Sequence, residues 1–182
     1  LNINYRYAAI LGTQKNASVY GLGEFEIYIL KPQPTPIPTN MIKNGNFSSG
    51  MTDWDTYIDA AASASISAYN GTCRADISNG GTDGWMVSLT QGPLNIVNGE
   101  SYTVNFDAQS DSSRSIYVFI SQAVDPWDVY SAYDQFNLTS SMQSFSFTFE
   151  MIDPSDPAGI IEFDFGKSSI DVEVDNVEMY RL

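Results

Sequence analysis

Tyr102-Thr103-Val104-Asn105-Phe106-Asp107-Ala108-Gln109 alternates apolar and polar side chains without a break. Successive residues of a β-strand point to opposite faces. Tyr102, Val104, Phe106 and Ala108 should therefore enter a core while Thr103, Asn105, Asp107 and Gln109 meet solvent. The same period recurs on both sides of this stretch. Trp85, Val87 and Leu89 share one parity. So do Phe145, Phe147 and Phe149, then Ile161, Phe163 and Phe165, then Ile170, Val172 and Val174. Clusters of Gly, Asn, Asp and Pro separate the runs, which is the rhythm of antiparallel strands joined by short turns. No amphipathic helical stretch of useful length interrupts them. The fold class expected is all-β: an antiparallel β-sandwich, a jelly roll of two packed sheets.

The composition narrows the class of partner. The 182 residues include 22 acidic and 8 basic side chains, a formal charge of -14. Such a surface repels phosphate backbones and anionic membranes, which excludes nucleic acid and lipid as natural partners. A neutral ligand or a hard cation remains compatible. Aromatic residues reach 13% while charged residues stay at 16%, leaving rings to spare for a recognition surface. Cys73 is the single cysteine, so no internal disulfide and no zinc-binding cysteine set can form. It reads as a small buried apolar side chain. No run of about 18 apolar residues is present to span a bilayer as a helix. The chain opens on Leu1 with no visible signal peptide, and the expectation is an internal fragment whose export signal lies elsewhere.

Proline divides the chain. Pro32, Pro34, Pro36 and Pro38 occupy every second position, and each restricts itself and its predecessor, so 32–39 reads as an extended Pro/Thr linker. Residues 1–31 hold two strand-like runs but too few residues for a core of their own. They form either the tail of a preceding domain or extra strands docked on the next. Gly12-Thr13-Gln14-Lys15, Tyr20-Gly21 and Glu24-Phe25-Glu26-Ile27-Tyr28 resemble the last strands of discoidin-like (factor 5/8 type C) domains. Residues 40–182 form the main module.

That module resembles the carbohydrate-binding modules of family 4/9 type. The likeness rests on Asn44-Gly45-Asn46-Phe47 with Thr52-Asp53-Trp54, on Gly81 to Gln91, on Gly99 to Ala108, and on the closing Val174-Asp175-Asn176-Val177-Glu178-Met179. Gln122-Ala123-Val124-Asp125-Pro126-Trp127-Asp128-Val129-Tyr130 resembles the loop of members that bind β-1,3-glucan. The resemblance implies a non-catalytic polysaccharide-binding module of a secreted multidomain enzyme, monomeric and tethered to other modules. β-Glucan is the favoured ligand, with amorphous cellulose or xylan as alternatives.

A sugar ring offers an apolar C–H face and a belt of hydroxyls, so a site needs flat rings edged by polar groups. Trp127, exposed after a proline in a polar loop, is the first candidate platform. Tyr57, at the position of a second family aromatic, is the next, and Trp54 either competes with it from three residues earlier or anchors the loop as a core residue. Trp85 shares parity with Val87 and Leu89, which favours the core unless its strand end lines the cleft. Tyr130 and Tyr133 flank Trp127 as candidate walls. Gln91 and Gln122 match family positions that bond sugar hydroxyls, since a carboxamide both donates and accepts; the alternative for each is to close a strand end. Asn105, Tyr117 and Arg114 are weaker candidates. The resemblance also implies a structural Ca2+ near Asn46, Ser48 and Asp175, an oxygen donor set that suits calcium. Ser48 stands where the family usually carries an acid.

A glycoside hydrolase built on the same sandwich would need a carboxylate pair. Glu162 and Asp164 alternate on one strand, as do Asp171 and Glu173, and these read as solvated sheet faces. The chain has no histidine to serve as a general base. A bacterial adhesion module without glycan binding is the other alternative.

Overall fold

The computed structural model describes residues 38–182. The discoidin-like stretch and most of the Pro/Thr linker lie outside the described residues. The described residues form ten strands: β1 (Asp55–Ile58), β2 (Ser63–Tyr69), β3 (Thr72–Asn79), β4 (Val87–Ile96), β5 (Ser101–Ser110), β6 (Arg114–Ser121), β7 (Asp134–Leu138), β8 (Gln143–Glu150), β9 (Asp156–Asp164) and β10 (Val172–Arg181). They form two five-stranded antiparallel sheets, ordered β1-β4-β9-β6-β7 and β2-β3-β10-β5-β8. The all-β sandwich expected from the alternation is what the chain adopts.

The decisive stretch became β5, with Tyr102, Val104, Phe106 and Ala108 buried in the core. Facing them from the other sheet are Leu89, Ile116, Val118, Ile161 and Phe163. Phe106 meets Phe163 edge-on at 5.3 Å between ring centroids, which ties β5 to β9 across the layer. The core forms because each strand contributes one parity of its side chains.

Two features of the sequence are placed differently from expectation. Trp85 does not continue the inward row of β4, because a 3-10 turn over Gly84–Met86 precedes that strand and resets the parity. β10 begins at Val172 rather than Ile170, and its pairing with β5 slips between Asp175 and Glu178. Asn176, at φ 50°, takes up that extra residue.

Candidate functional site

The first sheet turns a broad outer face to solvent, and strand pairing lines its residues into rows. Tyr57 of β1 pairs with Ser88 of β4, Ser88 with Asp164 of β9, Asp164 with Tyr117 of β6, and Tyr117 with Gln135 of β7. The next row runs Asp55, Thr90, Glu162, Phe119. At about 4.8 Å per strand, the first row spans roughly 19 Å. That length accommodates several consecutive sugar units.

Rings frame this face at both ends. Tyr57 is 49% exposed and Trp85 46%, with their rings 6.1 Å apart. The 3-10 turn that removed Trp85 from the core delivers it here. On the far side Tyr133 stacks on Tyr117 at 4.5 Å and covers Phe119 at 4.7 Å. Phe119 is buried, yet it does not belong to the core cluster between the sheets. Tyr133 supplies its cover. The run Ile116-Tyr117-Val118-Phe119-Ile120 carried this signal, since apolar residues at both parities mark a strand covered on both faces.

Between the rings lies a pair of acids. Asp164 is only 2% exposed, and its Oδ2 accepts a hydrogen bond from the Tyr133 hydroxyl at 2.7 Å. Its Oδ1 is buried with no hydrogen-bond partner among the described residues, a state that costs about 1–3 kcal/mol. Burial, then the charge of Asp164, pushes the Glu162 carboxyl up to about 7. Burial likewise raises Asp164 above the usual carboxylate range. The expectation of two solvated carboxylates is therefore corrected: β9 is the middle strand, and neighbours on both sides close over it. Gly84 permits this packing, because a Cβ there would stand 3.0 Å from Asp164 Oδ2.

The remaining sequence candidates separate into exposed and enclosed. Trp127 is 58% exposed in the β6–β7 loop, beyond the end of the rows. Its backbone sits at φ 62°, a left-handed conformation costing about 1–3 kcal/mol for a bulky residue. Tyr57 and Trp127 both present free rings, but at opposite ends of the sheet. Gln122 lines a cavity of about 420 Å³ with Tyr130 and Asp156, and its Oε1 accepts from the Asp128 amide at 3.4 Å.

Three candidates lie inside, Trp54 and Gln91 in the structural roles that were the alternatives to sugar contact, while the expectation for Tyr130 is corrected. Trp54 is 6% exposed, stacked on Phe47 at 5.1 Å, and its indole N–H bonds the Asn44 carbonyl, so it anchors the first loop. Gln91 is buried, with its amide accepting from Lys43 N and donating to Lys43 O, and so closes the N-terminal segment onto β4. Tyr130 is buried too; its hydroxyl donates to Asp156 at 2.8 Å, and burial raises the phenol to about 12. A buried ring with a polar tip needs such a partner, and here the protein itself provides it. Among the weaker candidates, Asn105 belongs to the second sheet. Arg114 spends its guanidinium on the carbonyls of Ile170, Phe165 and Gly166. Tyr117 alone of these joins the aromatic face.

Around the expected calcium position, Val177 N bonds Gly45 O, which brings the 45–48 turn beside β10. Asn46 Oδ1 accepts from Ser48 N, and Asp175 Oδ1 from Asn176 N. Amide, hydroxyl and carboxylate oxygens are hard donors that suit calcium. No group of three or more acidic, His or Cys side chains suited to a metal occurs among the described residues.

Known proteins match this geometry. The family model described as a carbohydrate binding domain matches residues 39–169. A solved structure described as "CBM4 structure and function" superposes with a TM-score of 0.71 at 28% identity, covering 78% of this chain and 99% of that one. The second N-terminal cellulose-binding domain of Cellulomonas fimi β-1,4-glucanase C shares the fold, with a TM-score of 0.64, 18% identity, and coverage of 79% and 95%. A putative sugar binding protein from Bacteroides thetaiotaomicron does so at 0.60 and 13% identity, covering 79% of this chain and all of that one (100%). No curated protein matches the chain.

Proposed function

We propose, from the premise that this chain belongs to the carbohydrate-binding domain family, that it holds β-glucan chains against the outer face of its first sheet. The chain is a non-catalytic binding domain. β-1,3- or mixed-linkage glucan is the favoured ligand, and the parent is a secreted multidomain polysaccharide-degrading enzyme. The observation that carries this reading is the pairing of free rings with a polar floor on one face. Tyr57 and Trp85 flank one side, Tyr117 and Tyr133 the other, and Ser88, Thr90 and Glu162 lie between.

The mechanism is stacking with edge hydrogen bonds. Burying about 60–100 Å² of apolar surface on a ring contributes roughly 1.5–2.5 kcal/mol. Two or three such contacts, less the freedom lost on binding, suit a Kd of about 10⁻⁴ to 10⁻⁶ M. Trp127 supports the β-1,3 preference, since its strained backbone holds a free ring where the resembling loop places its sugar contact. Calcium, held by oxygens of Asn46, Ser48 and Asp175, would pin the first loop to β10. Melting with and without a chelator tests that part.

Affinity electrophoresis against laminarin, lichenan, soluble cellulose and xylan tests the ligand. Retardation by laminarin or lichenan, with tryptophan fluorescence quenched on binding, is expected. Retardation by soluble cellulose or xylan alone would move the reading to those polymers. Binding to none, with firm binding to a protein, would replace it by an adhesion module.

A further inference from the structure

We infer that Glu162 and Asp164 are specificity-determining residues of this face: they accept hydrogen bonds from the hydroxyls of an uncharged glycan and reject glycans that carry carboxylates. The inference rests on the face being the glycan site.

The placement is central. Both acids stand on β9, the middle strand, facing outward between Ser88 and Thr90 on one side and Tyr117 and Phe119 on the other. A ligand lying across the Tyr57–Tyr117 row passes over them. Asp164 has one oxygen committed to Tyr133 and the other enclosed beside the Glu162 carboxyl, whose proton it can accept, so the half-buried Glu162 is the member of the pair that a ligand hydroxyl reaches.

No cation neutralises the pair. Arg114 is turned to backbone carbonyls. The Lys167 ammonium lies over the Tyr117 ring, 5.8 Å from its centroid, and lowers Asp164 only in part. The other titratable groups facing the pair are Tyr117 and Tyr133, with Asp55 and Tyr57 from β1. None of these adds positive charge at neutral pH. An incoming carboxylate would meet like charge in a poorly solvated floor, which is strongly unfavourable. The Glu162 carboxyl, pushed up to about 7, makes that rejection dependent on pH. Protonation below neutrality removes a negative charge and relaxes it.

Laminarin and carboxymethylated laminarin share a backbone and differ in charge, so they separate the two effects. Each is titrated by tryptophan fluorescence between pH 5.5 and 8.5 (an interval of about 1.5 units on each side of the Glu162 carboxyl). The proteins are the native chain, Glu162→Gln, Asp164→Asn and Glu150→Gln. Glu150 lies on the opposite sheet and controls for net charge. At pH 8.5 the native chain and Glu150→Gln should bind the carboxymethylated polymer at least about tenfold more weakly than laminarin. That gap should narrow toward pH 5.5. Glu162→Gln should narrow it at pH 8.5, where the native carboxyl is charged, and leave it near the native value at pH 5.5, while weakening laminarin itself by about tenfold. An unchanged gap in Glu162→Gln at pH 8.5, or a native gap that does not move with pH, overturns the inference even if Asp164→Asn fails to fold. A native chain that binds no laminarin, lichenan, soluble cellulose or xylan overturns the parent reading, and this inference with it.

Discussion

The two sheets present outer faces built by the same alternation, yet the faces differ in kind. On the second sheet, Arg74 of β3 reaches Asp76 at 2.8 Å, Asp111 at 3.0 Å, Asp171 at 2.8 Å and Glu173 at 2.9 Å. Four carboxylates share that one guanidinium, and water reaches all of them. Elsewhere on this face the strands carry small polar side chains such as Ser65, Ser67, Ser144, Ser146 and Thr103. On the first sheet, the central acids have no cationic partner and the rings above them exclude water. A face kept only for stability would hold its acids in water or beside a cation. One that encloses two adjacent carboxyls and leaves rings bare carries a cost that binding can offset.

The largest effect should come from the layer both faces share. Phe106→Ala, which empties a ring buried between the sheets, should destabilise by about 3–5 kcal/mol in chemical denaturation. Both faces would weaken together, and a smaller loss would mean the sandwich collapses around the void.

Ring removal should separate the faces. Trp85→Ala should weaken laminarin by about 10–50-fold, or 1.5–2.5 kcal/mol, without changing thermal stability by a comparable amount. Trp127→Ala should have an effect of the same order. Because the two rings stand at opposite ends, the losses should add in the double variant. Strong non-additivity in a titration would show that they act as one clamp.

Acid titration should sharpen the contrast further. Glu162 is raised in the folded chain, so the folded state holds its proton more firmly than the unfolded one. Its contribution is full below the unfolded value and is lost as pH rises through about 7. The native chain should therefore lose about 2 kcal/mol of stability between pH 4.5 and 7.5, and Glu162→Gln should flatten that part of the curve. A melting series in pH measures it.

The smallest effect belongs to the second sheet. Arg74→Ala should cost about 1 kcal/mol, discounted for solvent, and that cost should shrink at high salt. Laminarin affinity should not change, and a change would mean that the faces communicate.

Several elements of the site could be read from residue order alone. Tyr57 and Trp127 are exposed rings; Trp127 follows from the polarity of its loop, and Tyr57 from the resemblance to the family. Phe119 and Tyr117 were legible too, in a run apolar at both parities. Trp54 could be read as a loop anchor, since Asn44 and Phe47 are near in sequence, whereas the partners of Gln91 and Tyr130 could not be named because they are distant: Gln91 bonds Lys43, and Tyr130 bonds Asp156. Glu162 and Asp164 escaped for a related reason. Alternation says only that they face outward, whereas Tyr133, arriving 31 positions earlier, decides that outward is not wet.

The order of residues by itself determined the inward parity of β4, β5, β8, β9 and β10 and the acidic, cysteine-poor chemistry that admits a neutral partner. Those properties are local, since a strand's side chains alternate whatever lies beside them. Only the tertiary structure decided which of the two outer faces gathers the rings, and which acids lose their water. Pairing order sets that, by placing β9 in the middle and bringing a 3-10 turn and a distant tyrosine over it.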